Sequence, residues 1–263
     1  MAAMDVASVA LVAVLALLGL IMGSAVTAIA WRVPRGESWA RGRSACTNCH
    51  TPLGPRDLVP VLSYLLARGQ CRFCGTHISW RYPLTELLCA AWAVLLYGRI
   101  GCGADYPFIA IWGFLLIALM WIDLDFKLLP DVLTFPGTLI ALAGVLQWPG
   151  GVHRALLGVL AGAGGLFLVA YLYLKVRKKE GMGGGDIKLA AMFGVVLGWP
   201  LTLLTLFLAA FAGSIWGGIL MARRTGDGQS ELPFGTCLAP AAMASFLWGD
   251  RLIHWYAGLM GGR

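Results

Sequence analysis

The sequence predicts an all-α, polytopic membrane protein with about eight transmembrane helices and a cytoplasmic four-cysteine loop. Three observations lead there. Hydrophobic residues make up 59% of the 263 residues and the mean hydropathy is +0.77, outside the range of an ordinary soluble domain. Apolar runs recur along the whole chain. Loops rich in Lys and Arg alternate with loops almost free of them, as expected of a chain that crosses a bilayer repeatedly.

The first apolar run, 6–31, is longer than the core of a signal peptide, begins beside Asp5 rather than a cation, and is followed by arginines, so a retained first span is expected. Seven further runs follow at 84–96, 108–122, 132–148, 155–174, 187–199, 201–221 and 238–248. Several are shorter than the roughly 17 residues needed to cross perpendicular to the membrane, so the count is seven or eight. The organisation expected is a first span at 1–31, a cytoplasmic loop at 32–83 and a transmembrane core at 84–263.

Charge orients these runs. Residues 32–83 carry eight arginines against Glu37 and Asp57, residues 175–188 carry five basic side chains, and Arg223 and Arg224 open another loop. All three belong on the cytoplasmic side. The connections near 99–106, 149–154 and Pro200 are nearly free of cations, which agrees with eight spans and both termini outside. Topology therefore explains the formal charge of +7. No nucleic-acid partner is expected, because that requires the charge gathered on a folded basic face with base-reading elements.

The loop at 32–83 holds Cys46-x-x-Cys49 and Cys71-x-x-Cys74, with 21 residues between the pairs. Four thiolates at this spacing suit a structural tetrahedral zinc site, and a reducing cytosol argues against two stable disulfides. Metal-free cysteines or a redox pair are the alternatives. His50 and His77 lie close enough to replace a thiolate, although four cysteines make that unnecessary. Four protein ligands leave no open position for water, so hydrolysis is not assigned to this metal. Cys89, Cys102 and Cys237 sit in or beside apolar runs and read as small packing residues.

The candidate chemistry lies on two aspartates. Asp123 ends the 108–122 run and Asp186 opens the 187–199 run. Carboxylates at a membrane edge are costly to desolvate and mark function. Both fall at ends that the charge pattern puts on the cytoplasmic side, so a shared site is allowed. Two like charges in one site split their titrations, letting one acid remove a proton from water while the other polarises a carbonyl. Asp125 and Asp131 compete with Asp123 for the first role, and a tight polar hairpin is the bland alternative. The glycines at 181 and 183–185 permit a peptide backbone to pass close to Asp186, or form an ordinary flexible link. Lys188 is placed to meet lipid headgroups or to tune Asp186. Pro130 and Pro136 bracket a return into the membrane.

The segments IDLDFKLLPDVLTFP at 122–136 and EGMGGGDIKL at 180–189 resemble the two signature segments of type IV prepilin peptidases, within the GxGD group of intramembrane aspartyl proteases. The resemblance extends to Gly23-Ser24, Arg32-Val33-Pro34, the four-cysteine loop, Ser63-Tyr64-Leu65, Arg81-Tyr82-Pro83-Leu84 with Glu86, and Pro233-Phe234-Gly235, covering nearly the whole chain. It implies that Asp123 and Asp186 are catalytic, with Asp125 and Asp131 as supporting motif residues. It also implies cleavage of the basic leader of type IV prepilins or type II secretion pseudopilins at the cytoplasmic face of the bacterial inner membrane. N-methylation of the new amino terminus with S-adenosylmethionine is implied too. Thr27 stands where the family has an asparagine, and Leu58 heads the sequence that is usually NIP. Both changes remove an amide, so a peptidase-only member is the alternative. No glycine-rich nucleotide motif follows a predicted strand, and methylation rests on the resemblance. A membrane carrier using its acidic residues for ions, or a zinc-bearing assembly scaffold, are the readings from other classes. Sparse polar residues within the runs disfavour the carrier. The sequence does not determine the oligomeric state.

Overall fold

The computed structural model describes residues 6–38, 43–178, 183–222 and 233–261, and these are entirely helix, turn and loop apart from two isolated β-bridges. Lys179, Glu180, Gly181, Met182, Arg223 and Arg224, which contributed to the charge and glycine patterns, lie outside the described residues. The helices are α1 (Val6–Arg32), α2 (Leu62–Leu66), α3 (Arg81–Ile100), α4 (Tyr106–Phe126), α5 (Asp131–Val145), α6 (Gly151–Val159), α7 (Gly165–Arg177), α8 (Gly184–Ala222) and α9 (Gly235–Gly261). A π-helical turn, Leu160–Gly164, joins α6 to α7.

Every apolar run named above falls on a helix, but among the described residues five helices, not eight, are long and apolar enough to cross a membrane: Val6–Arg35, Arg81–Ile100, Tyr106–Phe126, Gly151–Arg177 and Gly184–Ile219. The difference has three physical sources. Helix α5 has 15 residues, a rise of about 22 Å against a hydrocarbon core of about 30 Å. Helix α8 carries two of the runs within its 39 residues. Helix α9 loses hydropathy to Asp250, Arg251 and His254 in its C-terminal half. The chain is a multi-pass membrane protein.

Packing divides the chain into two compact units, 1–102 and 103–263. In the first, α1 lies along α3. The contact is possible because Gly19 and Gly23, one turn apart, present bare backbone: a Cβ on Gly19 would stand 2.6 Å from the Cα of Ala90, and one on Gly23 would overlap the Cα of Glu86. This small-xxx-small spacing allows close backbone approach in a membrane, where apolar burial alone gives helices no reason to associate. Gly23→Leu should force α1 away from α3 and lower stability by about 2–3 kcal/mol, as overpacking does. Thermal unfolding in detergent measures it, with Gly98→Leu, which faces open space, as the control.

In the second unit α4 is apolar on all sides and correspondingly submerged, with Trp112, Leu116, Leu119 and Ile122 fully buried. The Trp112 indole N–H donates to the Met192 carbonyl of α8 at 3.2 Å, which answers its buried polar atom. Helix α8 breaks at Gly198 (φ 69°, ψ 176°), two residues before Pro200. Pro200 has no N–H for the Val196 carbonyl four residues back. Arg154 of α6 takes that place, donating Nε to Val196 O at 3.1 Å and Nη2 to Leu197 O at 3.2 Å. Pro130 precedes α5 in extended conformation, whereas Pro136 lies within the helix rather than closing a turn.

Candidate functional site

Asp123 sits one turn from the C-terminus of α4, and only 4% of its surface is exposed. Its Oδ2 accepts two hydrogen bonds from one residue of α9, the Thr236 backbone N–H at 2.7 Å and the Thr236 hydroxyl at 3.0 Å. The first turn of α9 thus presents its free amide to a carboxylate, as helix N-termini do. Gly235 makes the approach possible, since a Cβ there would lie 3.0 Å from the Asp123 carboxyl carbon.

Asp186 lies in the first turn of α8 and is half-buried, its N–H closing a turn on the Gly183 carbonyl at 3.2 Å. It is within electrostatic reach of Asp123. Two carboxylates within electrostatic reach of each other resist ionising together, an arrangement that can divide the roles of acid and base.

The other acids of the signature are placed differently. Asp125 is exposed. Asp131 is exposed and bound to Lys188, whose Nζ donates to Oδ1 at 2.6 Å and Oδ2 at 2.9 Å. Lys188 therefore serves Asp131, not Asp186. Thr236, which sequence reasoning missed, is the residue that fixes Asp123. The quoted Pro233-Phe234-Gly235 stops one position short of it, and nothing in a lone threonine announces a partner 113 residues away.

The four-cysteine loop belongs to the other unit and is built from one knuckle used twice. Cys46 N–H donates to Thr51 O at 3.1 Å and His50 N–H to Cys46 O at 3.0 Å; Cys71 N–H donates to Thr76 O at 2.9 Å and Gly75 N–H to Cys71 O at 2.9 Å. The residue after each second cysteine, His50 or Gly75, takes positive φ to close the turn. Asn48 clips the knuckles together, donating to the Thr76 hydroxyl at 2.8 Å. Hydrogen bonding to the Thr76 side chain and backbone, and to Asn48, holds the exposed Cys74 thiol down at about 5.

The four Sγ atoms lie within 4.8 Å of one another, and Cys46 Sγ is 3.7 Å from Cys74 Sγ. A tetrahedron with Zn–S of about 2.3 Å has edges of about 3.8 Å, so the donor set fits zinc. The cluster includes neither His50 nor His77. Of the other cysteines, Cys89 and Cys237 are buried as packing residues, but Cys102 is exposed beyond the end of α3, where the chain has left the helix.

Glu86 of α3 holds the segment that follows the knuckle turn. The Val61 N–H donates to Glu86 Oε2 at 2.6 Å, and Leu62 N–H donates to Pro60 O at 2.5 Å, a γ-turn with a β-branched residue at φ 58°, ψ −48°. That conformation is strained and persists because a carboxylate pins it.

Residues 17–100 match the Bacterial Peptidase A24 N-terminal domain, and residues 108–218 match the Type IV leader peptidase family. A protein of Aeromonas salmonicida named prepilin leader peptidase/N-methyltransferase is 38% identical over 220 residues, covering 81% of this chain and 74% of the relative. Proteins of the same name from Pseudomonas aeruginosa (34% identical, 93% of each chain) and Bacillus subtilis (32%, covering 94% of this chain and 98% of the relative) match over almost their whole lengths. No solved structure matches. Both units are accounted for, and the chain belongs to the type IV leader peptidase family.

Proposed function

We propose that this chain is a prepilin or pseudopilin leader peptidase that hydrolyses its substrate with Asp123 and Asp186 and then N-methylates the new amino terminus. The observation that supports the chemistry is the buried Asp123 carboxylate, gripped by Thr236 and within electrostatic reach of Asp186. One carboxylate removes a proton from water as the water oxygen attacks the scissile carbonyl carbon. The partner carboxyl donates to the carbonyl oxygen, and a proton then passes to the leaving nitrogen as the C–N bond breaks.

Cys46, Cys49, Cys71 and Cys74 hold one structural zinc in this reading. The first span is 1–31, the zinc loop 32–83 and the peptidase core 84–263, whose first helix packs on α1. Counting the halves of α8 separately and including α5 and α9, the chain crosses the bacterial inner membrane eight times. The arginine-rich loop and both aspartates then lie at the cytoplasmic face. Exposed Phe167, Leu168, Tyr171 and Leu172 of α7 meet lipid.

Methyl transfer needs S-adenosylmethionine, and its support is the name the relatives carry. A peptidase-only reading is favoured by Thr27, which has no amide and whose hydroxyl donates to Gly23 O of its own helix at 2.9 Å. One assay decides. The purified protein is incubated with a prepilin, with and without S-adenosylmethionine, and the product amino terminus is read by intact-mass and fragment mass spectrometry. We expect leader removal in both reactions and one added methyl group only with the donor. A product that stays unmethylated establishes the peptidase-only member, and an uncut substrate overturns the proposal.

A further inference from the structure

Asp123 and Asp186 stand on different helices, so their separation depends on whatever joins the end of α4 to the start of α8. The described residues place three such joining contacts on one short stretch of chain, 127–131.

The stretch starts from Asp123 itself. Lys127 takes positive φ and donates its N–H to the Asp123 carbonyl at 2.8 Å, ending α4 and turning the chain. Leu129 then wedges between the other two helix ends. A Cβ on Gly185 would lie 3.0 Å from Leu129 Cβ, and a Cβ on Gly235 would lie 3.2 Å from Leu129 Cδ1. Gly185 precedes Asp186, and Gly235 precedes the Thr236 that holds Asp123, so one side chain packs against the neighbours of both groups that matter.

The third contact is ionic. Lys188 is the fifth residue of α8, just past its first turn. Asp131 is the first residue of α5, where free backbone amides favour an anion. Their two hydrogen bonds, at 2.6 and 2.9 Å, tie the beginning of α8 to the start of α5. The pair is 40% and 54% exposed, so it adds little to global stability. Its geometric effect is larger, because it anchors α8 two residues beyond Asp186.

We propose that residues 127–131 form a positioning strap, in which the Leu129 wedge and the Asp131–Lys188 pair set the spacing of the Asp123 and Asp186 carboxylates. The inference rests on the aspartyl peptidase reading and goes beyond it by assigning these residues to geometry rather than to proton transfer. A misplacement of about 1 Å costs on the order of 100-fold in rate, so a strap failure appears in turnover before it appears in folding.

The test is steady-state cleavage of a prepilin by the full chain, separating kcat from KM. Asp131→Asn and Lys188→Met should each lower kcat about fivefold with KM within about twofold, and the double variant should fall no further than the worse single, because both remove one contact. Gly185→Ala should lower kcat at least about tenfold, and adding Leu129→Ala should recover part of that loss by making room for the new methyl. Wild-type protein and Asp186→Asn are run alongside. If wild type does not cleave, the peptidase reading fails. If wild type cleaves while the strap variants keep its kcat, lose only KM, or lose kcat independently in the ion-pair double, the strap is overturned. Should the Gly185 or Leu129 variants not fold, the exposed ion-pair cycle decides alone.

Discussion

Asp123→Asn and Asp186→Asn should each reduce leader cleavage by about three orders of magnitude or more while the protein stays folded. General acid/base groups contribute roughly 100- to 10,000-fold each, and groups acting as a unit fail together, so the double variant should be no worse than either single. Folding survives because an asparagine at position 123 still has a carbonyl oxygen to accept the Thr236 N–H and hydroxyl, now at 2.7 and 3.0 Å from Oδ2. Asp123→Ala is a harsher change, leaving the buried Thr236 N–H without its acceptor at a cost of about 1–3 kcal/mol. Asp125→Asn, at an exposed position, should retain most activity. Cleavage rates by gel or mass spectrometry, with melting temperatures in detergent, measure all five. Full turnover by either well-folded aspartate variant would remove the dyad, and inactivity of Asp125→Asn beside an active Asp123→Asn would move it.

The second large effect concerns the metal. Elemental analysis of protein purified without chelator should find one zinc per chain, Cys74→Ser should lose it, and Cys102→Ser should keep it. Between residues 43 and 80 only Gly69 and Cys71 are buried, so the loop has almost no core of its own. A loop of that kind takes its folding free energy from the metal, as small zinc domains do. The Asp57–Arg72 pair at 3.2 Å and the Asn48 clip join its halves but are too exposed to replace the ion. Hydrogen bonding to Thr76 and Asn48 holds the Cys74 thiol down at about 5, which favours the thiolate form a metal binds. Chelation should accordingly open the loop to trypsin at Arg56, Arg68 and Arg72. Peptide hydrolysis should suffer less than methyl transfer, because the acids lie in the other unit. Metal-free protein with a trypsin-resistant loop would overturn the assignment.

Much of this was legible in the residues. Hydropathy identified the helices because a bilayer allows few other ways to satisfy backbone polar groups. Each expected apolar run lies on a helix, and the two cysteine pairs meet, since a knuckle is local and its spacing carries its geometry. Span number was less legible. Hydropathy registers where apolar residues run but not whether a helix continues through a break, and at Gly198 that depends on Arg154 answering carbonyls more than 40 residues away.

The sequence by itself determined the membrane class, the thiolate cluster and the two segments that bear Asp123 and Asp186, because composition, periodicity and short spacings are properties of neighbouring residues. The family resemblance singled out Asp123 over Asp125 and Asp131, but only the tertiary structure gave a physical difference between their surroundings. All three are the same chemical group within nine positions, yet Asp123 is buried against Thr236 of α9, Asp125 is exposed, and Asp131 is exposed and bound to Lys188 of α8. Likewise Gly19 and Gly23 became a helix contact, and Gly185 and Gly235 the walls of the Leu129 wedge, only when the partner helix was in place. A glycine in sequence states that a side chain is missing, and packing alone decides what fills the space.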